Sequence, residues 1–372
     1  MTMQRAMTST VSRPPRAVSS FVGATSRPRV ERVLDDKAML RTAAELTRDL
    51  NAPRPLVYWG DLIASVTIGY GALAAAMLIA PTGWAIVAGL VAVLALYRAG
   101  SFIHEISHVK HTALPGFRNG WNALVGVPLM VPSFMYEGVH NLHHAKTRYG
   151  TVDDPEYLPL ALMRPWTVPV FVLVAALAPI GLMIRYAVLT PLSFAVLGLR
   201  RFVVERLSAL AINPQFRRRA PEGEAKAEWT RIEVATSVWA ITVLTAVATG
   251  VVPLRAFLIF LGVVSAVTVI NQVRTLVAHL WENEGEAMSV TAQYLDSVNV
   301  PPPTLLPALW APVGLRYHAL HHLLPGLPYH ALGEAHRRIS AVVDVHSPYH
   351  KASYAGLPGL LGRLVRSTFS PR

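Results

Sequence analysis

Cysteine is absent from this chain of 372 residues. Without thiols the protein can form no disulfide and cannot hold an iron–sulfur cluster through cysteine, so any metal must be bound by other side chains. The absence also fits a catalytic face in the reducing cytosol. The sequence does contain 14 histidines, and histidine is the commonest metal ligand in proteins.

Charged residues are also scarce. They make up 15% of the chain, whereas 52% of its residues are hydrophobic and the mean hydropathy is +0.38. Soluble domains carry about 25% charged residues, so the composition and the helix-length apolar runs predict an all-α integral membrane protein. The net charge of +12 lies mostly outside those runs. It favours anionic lipid headgroups as a partner over nucleic acid, for which the chain has no motif.

Acidic residues are missing before Glu31. Residues 1–34 are therefore predicted to be a disordered basic tail, which we favour over a transit peptide of similar composition. Asp35 or Asp36 is predicted to cap a helix that runs to Leu50, so residues 35–54 are interpreted as an interfacial helix. Residues 346–372 are interpreted as a basic C-terminal tail.

Four apolar runs predict two transmembrane hairpins within residues 55–345. In each hairpin the second helix is expected to continue past an arginine, Arg98 or Arg274, and to carry a histidine out of the bilayer. The first pair flanks the uncharged turn at residues 81–83. The runs are Leu62–Ala80, Trp84–Tyr97, Val234–Pro253 and Ala256–Ile270.

The number of times that a fifth apolar run, Trp166–Met183, crosses the membrane decides on which side the later histidines lie. A single crossing would place the later histidines on the opposite side of the membrane from the earlier ones, and one metal centre could not form. The run is therefore predicted to be re-entrant, or to return through about Leu189–Leu199. Trp121–Tyr136, interrupted by proline and glycine, is read as interfacial or re-entrant. The predicted architecture is two transmembrane hairpins in a bacterial inner membrane. The histidine boxes form a cap on the cytoplasmic side of these hairpins.

Three histidine boxes carry metal-ligand spacing. Residues three and four apart share one face of a helix, so HxxxH and HxxHH each direct their imidazoles to a common point. Together with one further histidine that follows an apolar run, the histidines of the three boxes outnumber the ligands that a single zinc ion can use. Two metal ions follow, and an all-nitrogen set without thiolate favours non-haem iron. The predicted ligands are His104, His108, His140, His143, His144, His279, His318, His321 and His322.

Carboxylates near the boxes are candidates for orienting the imidazoles. Glu105 lies inside the first box, and Asp153, Asp154 and Glu156 follow the second, where a simple turn would explain them equally well. His111 is more simply a surface histidine. Four late histidines are interpreted as solvated, and they are His330, His336, His346 and His350.

Two other functional classes fit part of the pattern. The first box also reads as HExxH, in which Glu105 would be the base of a zinc metalloprotease, but such an enzyme would leave five histidines unused. A transporter or a metal-storage protein would place ionisable groups within the spans, which are nearly free of charge here. The chain has no GxGxxG fingerprint, P-loop or haem motif, so an oxidative enzyme of this kind needs an external reductant.

The boxes, together with residues 321–330 and 149–156, resemble the membrane fatty acid desaturase family over about residues 55–345. The resemblance implies the nine histidine ligands above, two irons, O₂ as co-substrate and a ferredoxin or flavoprotein donor. It also implies a fatty acyl substrate linked to lipid, CoA or a carrier protein. Desaturation is the expected reaction, with hydroxylation or ketolation of an apolar substrate as the alternative. In one branch of the family an Asn precedes the lone histidine by four residues, whereas this chain has Thr275 there.

Overall fold

The computed structural model describes residues 33–304 and 306–369, and within them it contains helices and short bridges but no extended strand. The predicted tail therefore lies outside the described residues, apart from Val33 and Leu34. Fifteen α-helices are described, which confirms the all-α class. They are α1 Lys37–Leu46, α2 Pro55–Leu78, α3 Thr82–His108, α4 Phe117–Trp121, α5 His140–His143, α6 Thr167–Ile184, α7 Thr190–Ala195, α8 Leu197–Leu207, α9 Gly223–Ala248, α10 Leu254–Leu276, α11 Val290–Asp296, α12 Pro307–Trp310, α13 His318–Leu323, α14 Leu332–Val342 and α15 Leu357–Phe369.

Within the described residues, five helical segments are long and apolar enough to cross a bilayer. They are α2, α3, α9, α10 and the stretch Thr167–Ala195, which joins α6 and α7 through the π-helical turn Arg185–Leu189. About 20 apolar residues suffice for one crossing. Both predicted hairpins are present, and the chain is a multi-pass integral membrane protein.

The first hairpin, α2 and α3, packs closely because of a glycine. A Cβ atom placed on Gly69 would lie 2.7 Å from Leu96 Cδ2 and 3.3 Å from the Leu96 amide nitrogen, so a larger residue would force Leu96 to shift. Near their cap ends, Arg98 Nε donates to Asp61 Oδ1 over 2.7 Å, and Tyr329 donates to Asp61 Oδ2 over 2.9 Å. As predicted, α3 continues past Arg98 and carries the first box.

The second hairpin, α9 and α10, differs from the prediction at its end. α10 stops at Leu276, three residues before His279, which lies instead in an irregular segment. There His279 forms an antiparallel bridge with Ser297, and the amide of Leu280 donates to the Asp296 carbonyl over 2.7 Å. Backbone pairing with the segment after α11 therefore holds this histidine, where a helix was expected to do so.

The segment that contains the fifth apolar run, Trp166–Met183, begins and ends on the side of the membrane where the histidines lie. A single metal centre requires this. Before α6, the amide of Ala161 donates to the Trp281 carbonyl over 3.3 Å, and after α8 the amide of Ile212 donates to the Pro155 carbonyl over 2.9 Å. The chain turns back at Val196 and returns through α8, later than the predicted Leu189–Leu199.

A buried ion network joins this segment to α9. Arg185 Nη2 and Arg200 Nη1 each lie 2.8 Å from a different oxygen of the fully buried Glu233 carboxylate. Arg185 also donates to the Ser208 hydroxyl over 2.9 Å and to the Leu207 carbonyl over 2.9 Å. These bonds fix α8 against α6 and α9.

The stretch 121–136 is irregular and lies between the hairpins. The Tyr70 hydroxyl donates to the Leu124 carbonyl over 2.8 Å, and the Trp239 indole donates to the Pro128 carbonyl over 3.1 Å. Contacts to α2 on one side and α9 on the other hold it in place. The second box follows directly in α5, beside α3.

Both ends of the described chain pack on the cap. Asp36 Oδ1 accepts from the Met39 amide over 3.0 Å, as predicted for a helix cap, but the apolar face of α1 lies against α14. The protein itself covers this face, and the interfacial placement of residues 35–54 stays a prediction. Residues expected to form a basic tail instead fold into α15, whose Leu360 and Leu364 are buried.

Candidate metal centre

All nine predicted ligands come together in the structure, where they form two groups. Within each group one nitrogen of every ring lies within 4.8 Å of one nitrogen of every other. Group A contains His104, His108, His140, His144 and His321. Group B contains His143, His279, His318 and His322.

Two of the three boxes are divided between the groups. In the second box, His140 and His144 belong to group A and His143 to group B. In the third box, His321 belongs to group A, and His318 and His322 belong to group B. Residues three apart on a helix diverge by about 60° and residues four apart by about 40°, so one short helix can direct imidazoles at two neighbouring points.

The spacing of the ring nitrogens suits cations. Nε2 of His144 lies 3.0 Å from Nε2 of His140, and the same atoms of His318 and His279 are 3.0 Å apart. Two ligands that meet a metal at right angles, each at about 2.1 Å, lie about 3.0 Å apart. Facing lone pairs at this distance repel each other unless they share a cation, so the donor set fits two metal ions.

Carboxylates fix which nitrogen of two imidazoles is free to bind metal. His143 Nδ1 lies 2.9 Å from Asp154 Oδ2, and His140 Nδ1 lies 2.9 Å from Glu156 Oε1. A carboxylate accepts hydrogen bonds, so each Nδ1 carries the proton and each Nε2 presents its lone pair. Burial raises the pKa of Glu156 to about 7.

The charge state of the other imidazoles also suits ligation. Burial, followed by repulsion from neighbouring rings, holds the pKa values of His318, His321 and His322 well below the usual range. These rings are therefore neutral, the form that binds metals. His143 differs: burial lowers its pKa, but the carboxylates of Asp154, Glu156 and Asp296 together outweigh burial and raise the pKa.

No sequence motif indicated a third group that orients an imidazole. His279 Nδ1 lies 2.8 Å from the Tyr149 hydroxyl, which donates to Asp296 Oδ2 over 2.7 Å. Burial raises the pKa of Asp296 to about 6, while bonds from Tyr149 and Tyr157 act in the opposite direction. Tyr149 directly precedes Gly150 in the run after the second box, but Asp296 is 147 residues away and shares no motif with it.

Two of the predicted orienting carboxylates do not contact an imidazole closely. Asp153 is exposed, and only Asp154 of the pair turns inward. Glu105 Oε1 lies 3.7 Å from His104 Nδ1, which is too far for a hydrogen bond. Its other oxygen accepts from the Tyr58 hydroxyl and, over 3.0 Å, from the Tyr329 amide. Glu105 thus ties the first box to α2 and to the segment after the third box.

The remaining candidate histidines lie outside both groups. His111 is exposed and pairs with Glu137 over 3.2 Å. His330 accepts from the Arg54 amide, and His336 lies 2.9 Å from the Tyr349 hydroxyl. The Thr275 hydroxyl donates to the Asn271 carbonyl within α10 over 2.9 Å.

One side of group A is open. His108 is partly exposed at the edge of a cleft that also contains Lys110, His111, Glu137 and Asn141. Group B has no such opening, because all four of its histidines are buried. Solvent therefore reaches the centre from the side of group A.

A profile of the fatty acid desaturase family matches residues 82–354, a range that contains all nine histidines. The chain belongs to the fatty acid desaturase family. A ceramide hydroxylase of Caulobacter vibrioides (strain NA1000 / CB15N) is 50% identical over 331 residues, which cover 89% of this chain and 94% of that protein.

Desaturase-family membership makes the protein an enzyme of the histidine-box, non-haem di-iron class, and it confirms the resemblance drawn from the boxes. The metalloprotease interpretation needs Glu105 as a catalytic base, but Glu105 is buried and accepts hydrogen bonds from the Tyr58 hydroxyl and the Tyr329 amide. The transporter interpretation is also wrong, since the histidines form two compact groups at the cap.

Proposed function

We propose that this enzyme is an O₂-dependent hydroxylase of ceramide-type lipids. The observation that carries the proposal is 50% identity to a ceramide hydroxylase, extending over nearly the whole of both chains. Desaturation of a fatty acyl chain was the first expectation from the sequence. The relative favours the alternative of hydroxylation on the same centre, and its name favours a ceramide over the expected fatty acyl chain linked to lipid, CoA or a carrier protein.

In this proposal groups A and B each hold one iron, and the iron pair supplies the activation of O₂. The balanced reaction converts R–H, O₂, two electrons and two protons into R–OH and water. One oxygen atom enters the broken C–H bond and the other leaves as water. Loss of a second hydrogen in place of oxygen insertion would give an alkene.

The protein's own residues keep the nine imidazoles in place. Asp154, Glu156 and Tyr149 each meet the Nδ1 atom of one ligand at 2.8–2.9 Å, which fixes the plane of that ring. Burial of group B keeps water away from the reacting bond, a condition for oxidising an unactivated carbon without side reactions. The orienting groups thus act on the centre through the histidines.

The two electrons must come from another protein, because the chain carries no nucleotide or haem motif. A ferredoxin or flavoprotein fits this role, and we place its approach at the cleft beside His108, where group A is open. In this arrangement the cap faces the cytoplasm of a bacterium and the spans lie in its inner membrane.

Isotope labelling tests the reaction. Purified enzyme with a ceramide, a reducing partner and ¹⁸O₂ should give a product 18 mass units heavier that carries one labelled oxygen. The same product 16 units heavier should form in ¹⁶O₂. An unlabelled product two units lighter would make the enzyme a desaturase, and turnover without O₂ would overturn both reactions.

A further inference from the structure

Two histidines of group A reach the protein surface. His108 and His144 are partly exposed, whereas the three other members of group A and all four members of group B are buried. The rings of the two exposed residues lie side by side, with their centroids 4.7 Å apart. These two imidazole edges therefore connect the surface directly with the metal site of group A.

An exposed lysine follows each of these two histidines. Lys110 comes two residues after His108, and Lys146 comes two residues after His144. Two residues span at most about 7 Å of chain, so both lysines lie near the exposed imidazoles. Lys110 lines the open cleft beside His108, and so does Asn141 of α5, the helix that ends directly before His144. The two lysines thus flank the exposed side of group A.

The charge around this cleft is positive. Its wall contains one acidic residue, which belongs to a chain of ion pairs in which two arginines balance two carboxylates. In order, this chain is Glu137, Arg118, Glu228 and Arg231. Farther along the second box's loop, the half-exposed Arg148 offsets the exposed Asp153. Lys110 and Lys146 have no ion-pair partner among the residues that the structure describes. A partner that docks here without repulsion must present negative charge.

We propose that Lys110 and Lys146 form the docking surface for an acidic one-electron carrier protein of the ferredoxin type. The carrier passes its electron to group A across the exposed edges of His108 and His144. This inference rests on the proposed function, which requires an external reductant, and it names the docking residues and the charge of that reductant. Each reduced carrier is oxidised by one electron, so two carriers in turn supply the two electrons of the reaction, while water supplies the two protons.

Charge reversal tests this surface. The binding of an oxidised [2Fe–2S] ferredoxin of strongly negative net charge is measured by calorimetry, with the iron-loaded enzyme in nanodiscs of neutral phosphatidylcholine. The double variant Lys110→Glu, Lys146→Glu should bind the ferredoxin at least about ten-fold more weakly at low salt, because attraction becomes like-charge repulsion. The two affinities should converge as salt rises, since ions screen exposed charges. Iron per chain should stay unchanged.

A matched double variant makes the same change of charge elsewhere on the protein. Lys37→Glu, Lys351→Glu alters an exposed lysine of α1 and another in the turn Pro348–Ala352, and neither lysine lines the cleft. This variant should bind the ferredoxin as the wild type does. Equal losses in the two double variants would reveal an effect of net charge alone and would overturn the proposal. Wild-type affinity in the Lys110 and Lys146 variant would overturn it too.

Other results point to other partners. No binding of the ferredoxin by wild-type enzyme that retains two irons, or tighter binding of a basic carrier, contradicts the proposal. Weaker retention of phosphatidylglycerol by the Lys110 and Lys146 variant in native mass spectrometry, with unchanged ferredoxin affinity, would assign the lysines to lipid headgroups. Failure of the wild type to hydroxylate ceramide would instead refute the proposed function. It would leave the binding result intact, because docking needs neither ceramide nor O₂.

Discussion

At the scale of single residues, Asp153 and Asp154 are neighbours with opposite environments. Asp153 is exposed, whereas Asp154 is fully buried and bonded to His143, to the amide of Gly150 and to the amide of Glu156. The sequence offered both as equal candidates. Which one turns inward depends on the turn that places Asp154 under the second box, and spacing along the chain does not report that.

The pair supplies a matched test. Asp154→Asn keeps the shape of the side chain but removes the charge that holds the proton on His143 Nδ1, so we expect hydroxylation to fall about 10–100-fold. Asp153→Asn should retain wild-type activity. The measurement is the initial rate with a saturating donor, together with iron per chain. Equal rates in the two variants would show that Asp154 does not act on the centre.

The division of the histidines predicts distinct effects on metal content. His322→Ala removes one of the four members of group B, so iron should fall from about two per chain towards one while group A stays loaded. His350→Ala, outside both groups, should leave iron and activity unchanged. Elemental analysis of purified protein checks both variants, and two irons in His322→Ala would contradict the assignment of that ligand.

The nine histidines could be found from the sequence because their spacing follows from local helix geometry. The bonds that orient them could be found only in part. Asp154 and Glu156 lie within 16 residues of their partners, whereas Tyr149 reaches Asp296 across the fold. A hydrogen bond between distant segments leaves no local signal in the sequence.

At the scale of elements, the hairpins were predictable because the length of an apolar run is set by the thickness of the bilayer. The ends of elements were not. α10 stops before His279 because the backbone of the segment after α11 pairs with that region, and α15 forms where composition indicated only a basic tail. Tertiary contacts decide both cases.

The segment that contains the fifth apolar run, Trp166–Met183, gives a prediction about membrane topology. Its two flanks bond to the same part of the cap, so tags at the N-terminus, between residues 217 and 222 and at the C-terminus should all report the cytoplasm. A tag in the turn at residues 81–83 should report the opposite side. Reporter fusions or cysteine labelling in intact cells provide the measurement. A tag near residue 217 on the far side would mean that residues 167–207 cross only once.

At the scale of the whole molecule, metal should contribute to stability. Nε2 atoms of the box histidines face one another at 3.0–3.2 Å, and metal that binds only the folded state shifts unfolding by mass action. Chelator-treated enzyme should therefore melt at a lower temperature, and Fe²⁺ should restore the original value. His322→Ala should show a smaller recovery. A melting temperature that is independent of metal would argue against two bound ions.

The class of the whole enzyme followed from composition and boxes, but the reaction did not. Desaturation and hydroxylation share the same centre, and they differ in where a carbon sits relative to it, a distance that no motif records. The relative from Caulobacter vibrioides, 50% identical, favours hydroxylation.

The division of the boxes between the two groups also sets the timing of assembly during synthesis. Group A needs His321, and group B needs His318 and His322, so neither group is complete until the ribosome has made nearly nine-tenths of the chain. Both hairpins must by then be in the membrane. A nascent chain that stalls before the third box has four of the five histidines of group A but only two of the four of group B, so the paired centre cannot be completed before that box is made.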